Sequence, residues 1–327
     1  MKFYIIVFLL ISQSACIGAI HVPVEPYDPV TAFIPQKNLS FNTNYTPIFL
    51  VEKSDLRFNR IGTPSLINNE LNESSIIVDP NIASVYVQEL KFKTKKGIYK
   101  NYVYRLHFNK VPFSLLPFYL TTGKNVGLIV IVTFNSENEP VLITTVHTCG
   151  CYLAFIPTSF LHDDAFPDDW NYTLQKVYGK TLPGLIKLDE GFQNKQNSKI
   201  VIFLESATHR VKWIKTESLE VIEKKYQIQH THIISMDKLK MLGHGDNTTS
   251  FFETSGPRKG YVKGSFKLFE RLLMSWWTMD LYVGEDKDFG PSEEIGTAFY
   301  TSLKFWDRAE SDMWNFNDFL SYWGWNL

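Results

Sequence analysis

The chain has 327 residues, of which 44% are hydrophobic and 20% are charged, and this balance excludes an intrinsically disordered chain. Lys and Arg number 33 against 34 Asp and Glu. The chain therefore lacks the overall basic field by which proteins attract nucleic acid, and we expect no nucleic-acid partner.

The first residues have the pattern of an export signal. Lys2 gives a positive start, residues 3–11 form an unbroken apolar run, and small or polar residues follow as far as Cys16. This order is typical of a secretory signal. The apolar run is too short for a membrane span, which needs about 20 apolar residues. We predict a signal peptide over residues 1–16 and an exported protein.

The end of this leader, Ser14-Ala15-Cys16, resembles the lipobox of bacterial lipoproteins, in which the cysteine is lipidated and becomes the first mature residue. Gln13 departs from that pattern, which prefers leucine or a similar apolar residue. The resemblance implies a membrane-anchored lipoprotein of the cell envelope, held by a lipid on Cys16. Ile17 after the cysteine favours a periplasm-facing or outer-membrane location. The alternative is simple cleavage, which would give a secreted protein.

Residues 17–80 differ from the rest in being rich in Pro, Asn and Ser with only short strand-like runs. Three prolines spaced three apart near its start suggest an extended tether. We predict an extended N-terminal arm over residues 17–80 that packs on the body, and a single β-rich globular domain over residues 81–327.

The central part of the chain has the clearest strand patterns. Residues 85–92 and 98–108 flank a short charged turn and predict a β-hairpin whose second strand is half-buried. Residues 127–134 are nearly all apolar, which predicts a strand buried on both faces. Residues 141–147 are its predicted partner, and residues 151–156 its continuation.

The later chain mixes strand and helix patterns. A helix is predicted over residues 168–179, with an aspartate at its start and Gly179 at its end. Further strands are predicted at 199–204, 210–214 and 227–235, and further helices at 237–242, 266–283 and 311–323. Runs of strands with few helices between them predict an α+β fold. We expect a mainly antiparallel β core, either a sandwich or a strongly twisted sheet, with a few packed helices and an aromatic-rich helical C-terminus.

The most informative motif for chemistry is His147, Cys149 and Cys151, which alternate along a predicted strand. On a flat strand the three side chains would share a face but stand about 6.5 Å apart, too far to meet at one ion. Gly150 permits a bend that would bring them together. Three interpretations remain open: a structural disulfide or buried thiol pair, a copper or zinc site, and a redox-active pair with a thiol pKa lowered by His147.

Other histidines are weaker candidates for a metal site. His230 and His232 are two residues apart on a predicted strand and would share a face. His209 and His244 are possible completing ligands if the fold brings them close.

No hydrolase elbow, phosphate-binding loop, dinucleotide fingerprint or zinc-protease helix occurs in the sequence. The leading hypothesis is therefore an exported cell-envelope lipoprotein of unknown biochemical role that binds or positions a protein or small molecule, or serves a structural purpose. The alternative is a periplasmic metal- or thiol-dependent enzyme using His147, Cys149 and Cys151. Whether the protein is an enzyme stays open on the sequence.

Overall fold

The computed structural model describes residues 29–36, 45–68, 74–189, 192, 198–244 and 247–327. The predicted signal peptide, the lipobox-like motif and Cys16 lie outside these residues. Within them the chain is mostly β with four short helices, which confirms the predicted α+β class.

The strands and helices of the described residues have the following bounds. The strands are β1 (Val30–Pro35), β2 (Ile48–Glu52), β3 (Thr63–Asn68), β4 (Ser74–Asp79), β5 (Ser84–Lys93), β6 (Ile98–Val111), β7 (Gly123–Phe134), β8 (Pro140–His147), β9 (Ala154–Pro157), β10 (Leu174–Val177), β11 (Lys180–Pro183), β12 (Ser198–Leu204), β13 (Val211–Ser218), β14 (Gln227–Ser235), β15 (Leu242–His244) and β16 (Asn247–Thr249). The helices are α1 (Leu219–Lys225), α2 (Leu268–Thr278), α3 (Ser292–Ile295) and α4 (Phe316–Tyr322).

Ten of the strands form one large curled sheet in the order β13-β12-β2-β1-β14-β5-β6-β7-β8-β9. Most neighbours are antiparallel, as predicted, but β12 with β2, β1 with β14 and β14 with β5 are parallel. Strands β1 and β2 belong to the predicted arm, and they occupy inner positions of the sheet. The division of the chain at residue 80 stays a prediction.

Strand β6 is buried more completely than its sequence predicts. The expected half-buried strand has an unbroken buried stretch in its middle. Tyr104 and Phe108 face one core, whereas Val103 faces a second core on the other side of the sheet. The alternation of apolar residues in the sequence therefore predicted one buried face of β6 correctly. It did not predict the second buried face, which is formed by Val103, Arg105 and His107.

The two faces of the curled sheet are covered differently. Each of the ten strands contributes side chains to one shared core on the inner side of the curl. On the outer side, aromatic residues of the C-terminal region, including Phe319 of α4 and Trp325, cover the central strands. Helix α1 covers the outer face of β1, β2 and β12 with Ile222. The predicted aromatic-rich helical C-terminus is thus part of the outer core.

The helix predicted over residues 168–179 is wrong, because the structure has the hairpin β10–β11 there. The side chain of Asn171 accepts hydrogen bonds from the backbone of Thr173 and Leu174 at 2.9 and 3.2 Å. Such local bonds favour a turn over a helix start. Gly179, taken as the helix end, lies with a φ of 80° in the hairpin turn.

Candidate functional sites

The chain reverses sharply after His147, the last residue of β8. The backbone N–H of Gly150 donates to the carbonyl of His147 at 2.8 Å, and the N–H of His147 donates to the carbonyl of Cys151 at 2.9 Å. Gly150 has a φ of 89°, and a Cβ added there would collide with the backbone carbonyl of Tyr300. Only glycine fits both constraints, so the bend is fixed by this residue.

This turn brings the three residues of the predicted site together. Cys149 and Cys151 form a disulfide with their Cα atoms 5.6 Å apart. A ring nitrogen of His147 and the two sulfurs lie within 4.8 Å of one another. Cys149 is 4% exposed, whereas Cys151 is partly exposed. Sulfurs joined in a disulfide are not thiolate ligands, so copper or zinc could bind here only after the disulfide is reduced. The metal site stays a prediction.

His147 is a buried, neutral imidazole beside the disulfide. Burial, assisted by the charge on Lys267, holds the pKa of His147 well below its usual range. The ring meets the ring of Tyr152 edge to face at 4.8 Å, and its Nε2 atom has no hydrogen-bond partner among the described residues. An unpaired buried polar atom costs about 1–3 kcal/mol. The Nδ1 atoms of His107 and His209 are unpaired in the same way within the described residues.

Of the other candidate histidines, the structure brings His209 close to His147, whose pKa is affected by the backbone and the ring of His209. His209 is buried, but its Nε2 atom lies 2.8 Å from the carbonyl oxygen of Phe58. His230 and His232 are exposed on β14. His244 lies in β15, and its side chain falls outside the described part of the structure. Among the described residues, none of these histidines joins the group of side chains at the turn that could share an ion.

A run of four charged residues, Glu285-Asp286-Lys287-Asp288, is buried behind the turn, with at most 5% of any member exposed. Fully buried charges are rare in proteins unless they are paired. The backbone N–H of Lys287 donates to the carbonyl of Thr148, and its Nζ atom donates to the carbonyl of Cys149, both at 2.8 Å. Asp286 accepts a hydrogen bond from the hydroxyl of Thr148. The charged run therefore holds the disulfide turn in place.

The same run is tied to the start of α2 by ion pairs. Lys267 Nζ lies 3.0 Å from Asp286 and 3.9 Å from Glu270, and all three side chains are buried. Burial alone would lower the pKa of Lys267, but the two carboxylates outweigh it and the pKa is raised. Burial raises the pKa of Glu270 and lowers that of Lys287 to about 8.

Sequence analysis missed this cluster because a run of charges ordinarily predicts a solvated segment. Two glycines accompany the cluster, but their role becomes visible only in the fold. A Cβ at Gly284 would collide with Glu270, and a Cβ at Gly123 would collide with Lys267. The two glycines leave room for buried charged side chains, a relation that only proximity in the fold reveals.

Helix α2 has its polar side inward and its apolar side outward. Glu270 and Thr278 are buried, whereas Leu268, Leu272 and Trp276 are 47%, 64% and 62% exposed. Residues four apart share one face of a helix, so these three form an apolar stripe facing solvent. The sequence predicted this helix, but a helix on a soluble domain normally has the reverse orientation.

The loop between β6 and β7 enlarges this apolar stripe. Its Phe113 and Phe118 rings contact Phe269 of α2, with centroids 5.8 and 5.2 Å apart. Leu115 and Leu116 extend from the loop with 67% and 95% exposure. We use the name apolar surface for the exposed apolar side chains of this loop and of residues 266–281, which are Phe113, Leu115, Leu116, Phe118, Phe266, Leu268, Leu272, Trp276, Trp277, Met279 and Leu281.

Comparison with known proteins does not add a family to these observations. No known protein family matches the chain. No similar protein of curated function was found, and no similar solved structure was found. Within the described residues, none of the helices has the length and hydropathy needed to cross a bilayer.

Proposed function

We propose that this chain is an exported cell-envelope lipoprotein that lies on a membrane surface and acts there by binding. The observation that carries the proposal is the inside-out orientation of α2. Exposed apolar patches of this extent mark interaction sites, because burying each Leu or Trp side chain stabilises a complex by about 1.5–3 kcal/mol. The partner of the apolar surface is the interfacial region of a bilayer.

The shape and chemistry of the apolar surface favour a bilayer over a protein partner. Leu116 is 95% exposed at the end of a loop, which suits insertion into a soft surface better than contact with a rigid one. Trp276 and Trp277 are of the type enriched at membrane interfaces. An amphipathic helix lying in the interface buries its apolar face about 5–10 Å deep.

Charge at the base of the apolar loop complements anionic lipid headgroups. Lys110 and Lys124 stand directly opposite each other on β6 and β7, where the loop begins and ends. Both are exposed, and neither forms an ion pair within the described part of the chain. Like charges placed opposite each other destabilise a sheet slightly, whereas each cation near an anionic membrane contributes about 1 kcal/mol to binding.

A lipid on Cys16 and the apolar surface act together in this proposal. The chain from Cys16 to Val30 reaches at most about 50 Å when extended, so the anchor keeps the domain near the bilayer. Stable membrane attachment generally needs two such signals. The apolar surface then sets the orientation in which the domain meets the bilayer.

Flotation with vesicles tests the proposal on the mature chain carrying Cys16→Ser, so that no acyl chain contributes. We expect binding to vesicles of phosphatidylethanolamine and phosphatidylglycerol, weakened about tenfold or more by Leu272→Glu with Trp276→Glu. Ile98→Glu is the matched control, because Ile98 is 60% exposed at the opposite end of β6 from the loop. Equal binding by all variants, or a dimer in solution that the double substitution dissociates, would refute a lipid partner.

A further inference from the structure

The two residues of the Cys149–Cys151 disulfide differ in exposure. Cys149 is 4% exposed, whereas Cys151 is partly exposed, so Cys151 is the cysteine that we expect a thiol from solvent to reach. The residue after Cys151 also lines a recess in the surface. This recess is formed by Thr145, Tyr152, Ala154, Tyr178, Lys180 and Arg210.

The surroundings of the buried sulfur suit a thiolate that leaves during disulfide exchange. Lys287 donates through Nζ to the carbonyl of Cys149 at 2.8 Å, so a fully buried ammonium group is held against the same residue. A nearby cation stabilises a thiolate and makes it a better leaving group.

A second, independent observation concerns the imidazole beside the disulfide. His147 Nε2 is buried and has no hydrogen-bond partner in the described structure while the disulfide is intact. The ring belongs to the same compact group as the two sulfurs. A disulfide has no proton to donate, whereas a reduced cysteine has an S–H donor. Reduction therefore adds an S–H donor to the compact group that contains the ring.

We propose that the Cys149–Cys151 disulfide is a thiol–disulfide exchange site that takes two electrons from dithiol substrates, with Cys151 as the sulfur attacked. One substrate thiolate bonds to Sγ of Cys151 and breaks the bond to Cys149, which leaves with the electron pair. The second substrate thiolate then attacks the substrate sulfur of this mixed disulfide and releases Cys151 as a thiolate.

Atoms and electrons balance over the whole exchange. The dithiol becomes a disulfide, and its two protons end on the two cysteines, where one S–H donates to His147 Nε2. This activity goes beyond membrane binding and does not depend on the apolar surface.

The first experiment compares the two cysteines in the full mature chain carrying Cys16→Ser. Single variants Cys149→Ser and Cys151→Ser each leave one thiol, and glutathione disulfide is the probe. We expect the thiol of Cys151 to form the mixed disulfide at least about tenfold faster than that of Cys149 in folded protein. In guanidinium chloride the two rates should become equal. Equal rates in the folded variants would overturn the proposal.

The second experiment keeps both cysteines and so does not depend on the folding of the single variants. The folded protein is treated with limiting reduced glutathione, quenched with acid and mapped by mass spectrometry. The adduct is expected on Cys151, and an adduct on Cys149 would overturn the assignment. Dithiothreitol should reduce the disulfide without loss of the folded circular dichroism spectrum. A disulfide that is reduced only after unfolding would show a purely structural bond.

The third measurement isolates the imidazole. In a dithiothreitol redox buffer, His147→Leu should lower the ratio of reduced to oxidised protein by about fivefold, because the reduced form loses one hydrogen bond. An unchanged ratio would remove His147 from the proposal. Replacing the exposed His230 by Leu is the control and should leave the ratio unchanged.

Discussion

Three histidines are buried as neutral imidazoles, and this makes stability depend on pH. His107, His147 and His209 are at most 4% exposed, and burial is the main cause of each lowered pKa. For His209 the pKa falls to about 3. An unfolded histidine binds a proton near pH 6.5. The unfolded chain therefore binds more protons than the folded one below pH 6.5, and the free energy of unfolding falls as the pH is lowered.

The magnitude follows from proton linkage. Each histidine that is protonated only when unfolded contributes a slope of about 1.4 kcal/mol per pH unit. Three such groups give about 4 kcal/mol per unit, which is large beside a typical total stability of about 5–15 kcal/mol. For His209 this contribution extends from about pH 6.5 down to about pH 3.

His209→Asn tests this reasoning with little disturbance of the backbone. His209 has a φ of 57°, a conformation that asparagine tolerates. Denaturant unfolding at pH 7, 6, 5 and 4 should show a slope lower by about 1.4 kcal/mol per pH unit, whatever the stability at pH 7. The exposed His230→Asn should keep the parent slope.

Buried carboxyl groups change the free energy of unfolding with pH in the opposite direction to the buried histidines. The decisive comparison is therefore between the slopes of the parent and of His209→Asn. Burial raises the pKa of Glu270, Glu285, Asp288 and Asp312. These groups bind protons more tightly in the folded chain and offset part of the histidine slope as the pH falls. Their contribution is the same in parent and variant. Identical slopes for the parent and His209→Asn would refute the assignment of a buried neutral imidazole.

Other substitutions test the turn, the buried ion pairs and the anchor. Gly179→Ala should lower the free energy of unfolding by about 1 kcal/mol, because Gly179 has a positive φ. Gly150→Ala should lower it by more, because Gly150 also has a positive φ and a Cβ there would in addition collide with a backbone carbonyl. Equal losses in urea titrations would show that the collision is relieved. Asp286→Asn should cost about 3–5 kcal/mol because it leaves Lys267 buried without its nearest carboxylate. Adding Lys267→Met should recover part of that loss in thermal denaturation, and no recovery would contradict a coupled pair. Cys16→Ser should make membrane attachment reversible on washing, and retention equal to the parent's would argue against a lipid anchor.

The sequence predicted those parts of the fold whose cause is local. The apolar run in β7 and the alternation in β5 and β6 gave the strands and their hairpin. A glycine between two cysteines gave the bend, since only glycine adopts the required φ without strain. The α2 and α4 regions were recognised as helical for the same local reason.

Local patterns failed where the partner of a side chain lies far away in sequence. The charged run at residues 285–288 was not recognised from the sequence because its partners, the turn after β8 and the start of α2, are distant along the chain. The parallel pairing of β1 with β14 joins residues nearly 200 positions apart, and nothing in either strand specifies that neighbour.

The sequence by itself determined an export-type leader pattern, a β-rich composition and the position of the cysteine turn. Tertiary structure decided which cysteine of that turn is partly exposed and which side of α2 faces solvent. The physical reason is that periodicity reports whether a residue suits burial, whereas the fold decides what it is buried against. In α2, Glu270 lies inward because the ammonium group of Lys267 offsets part of the cost of burying its charge, and Leu268, Leu272 and Trp276 consequently face outward.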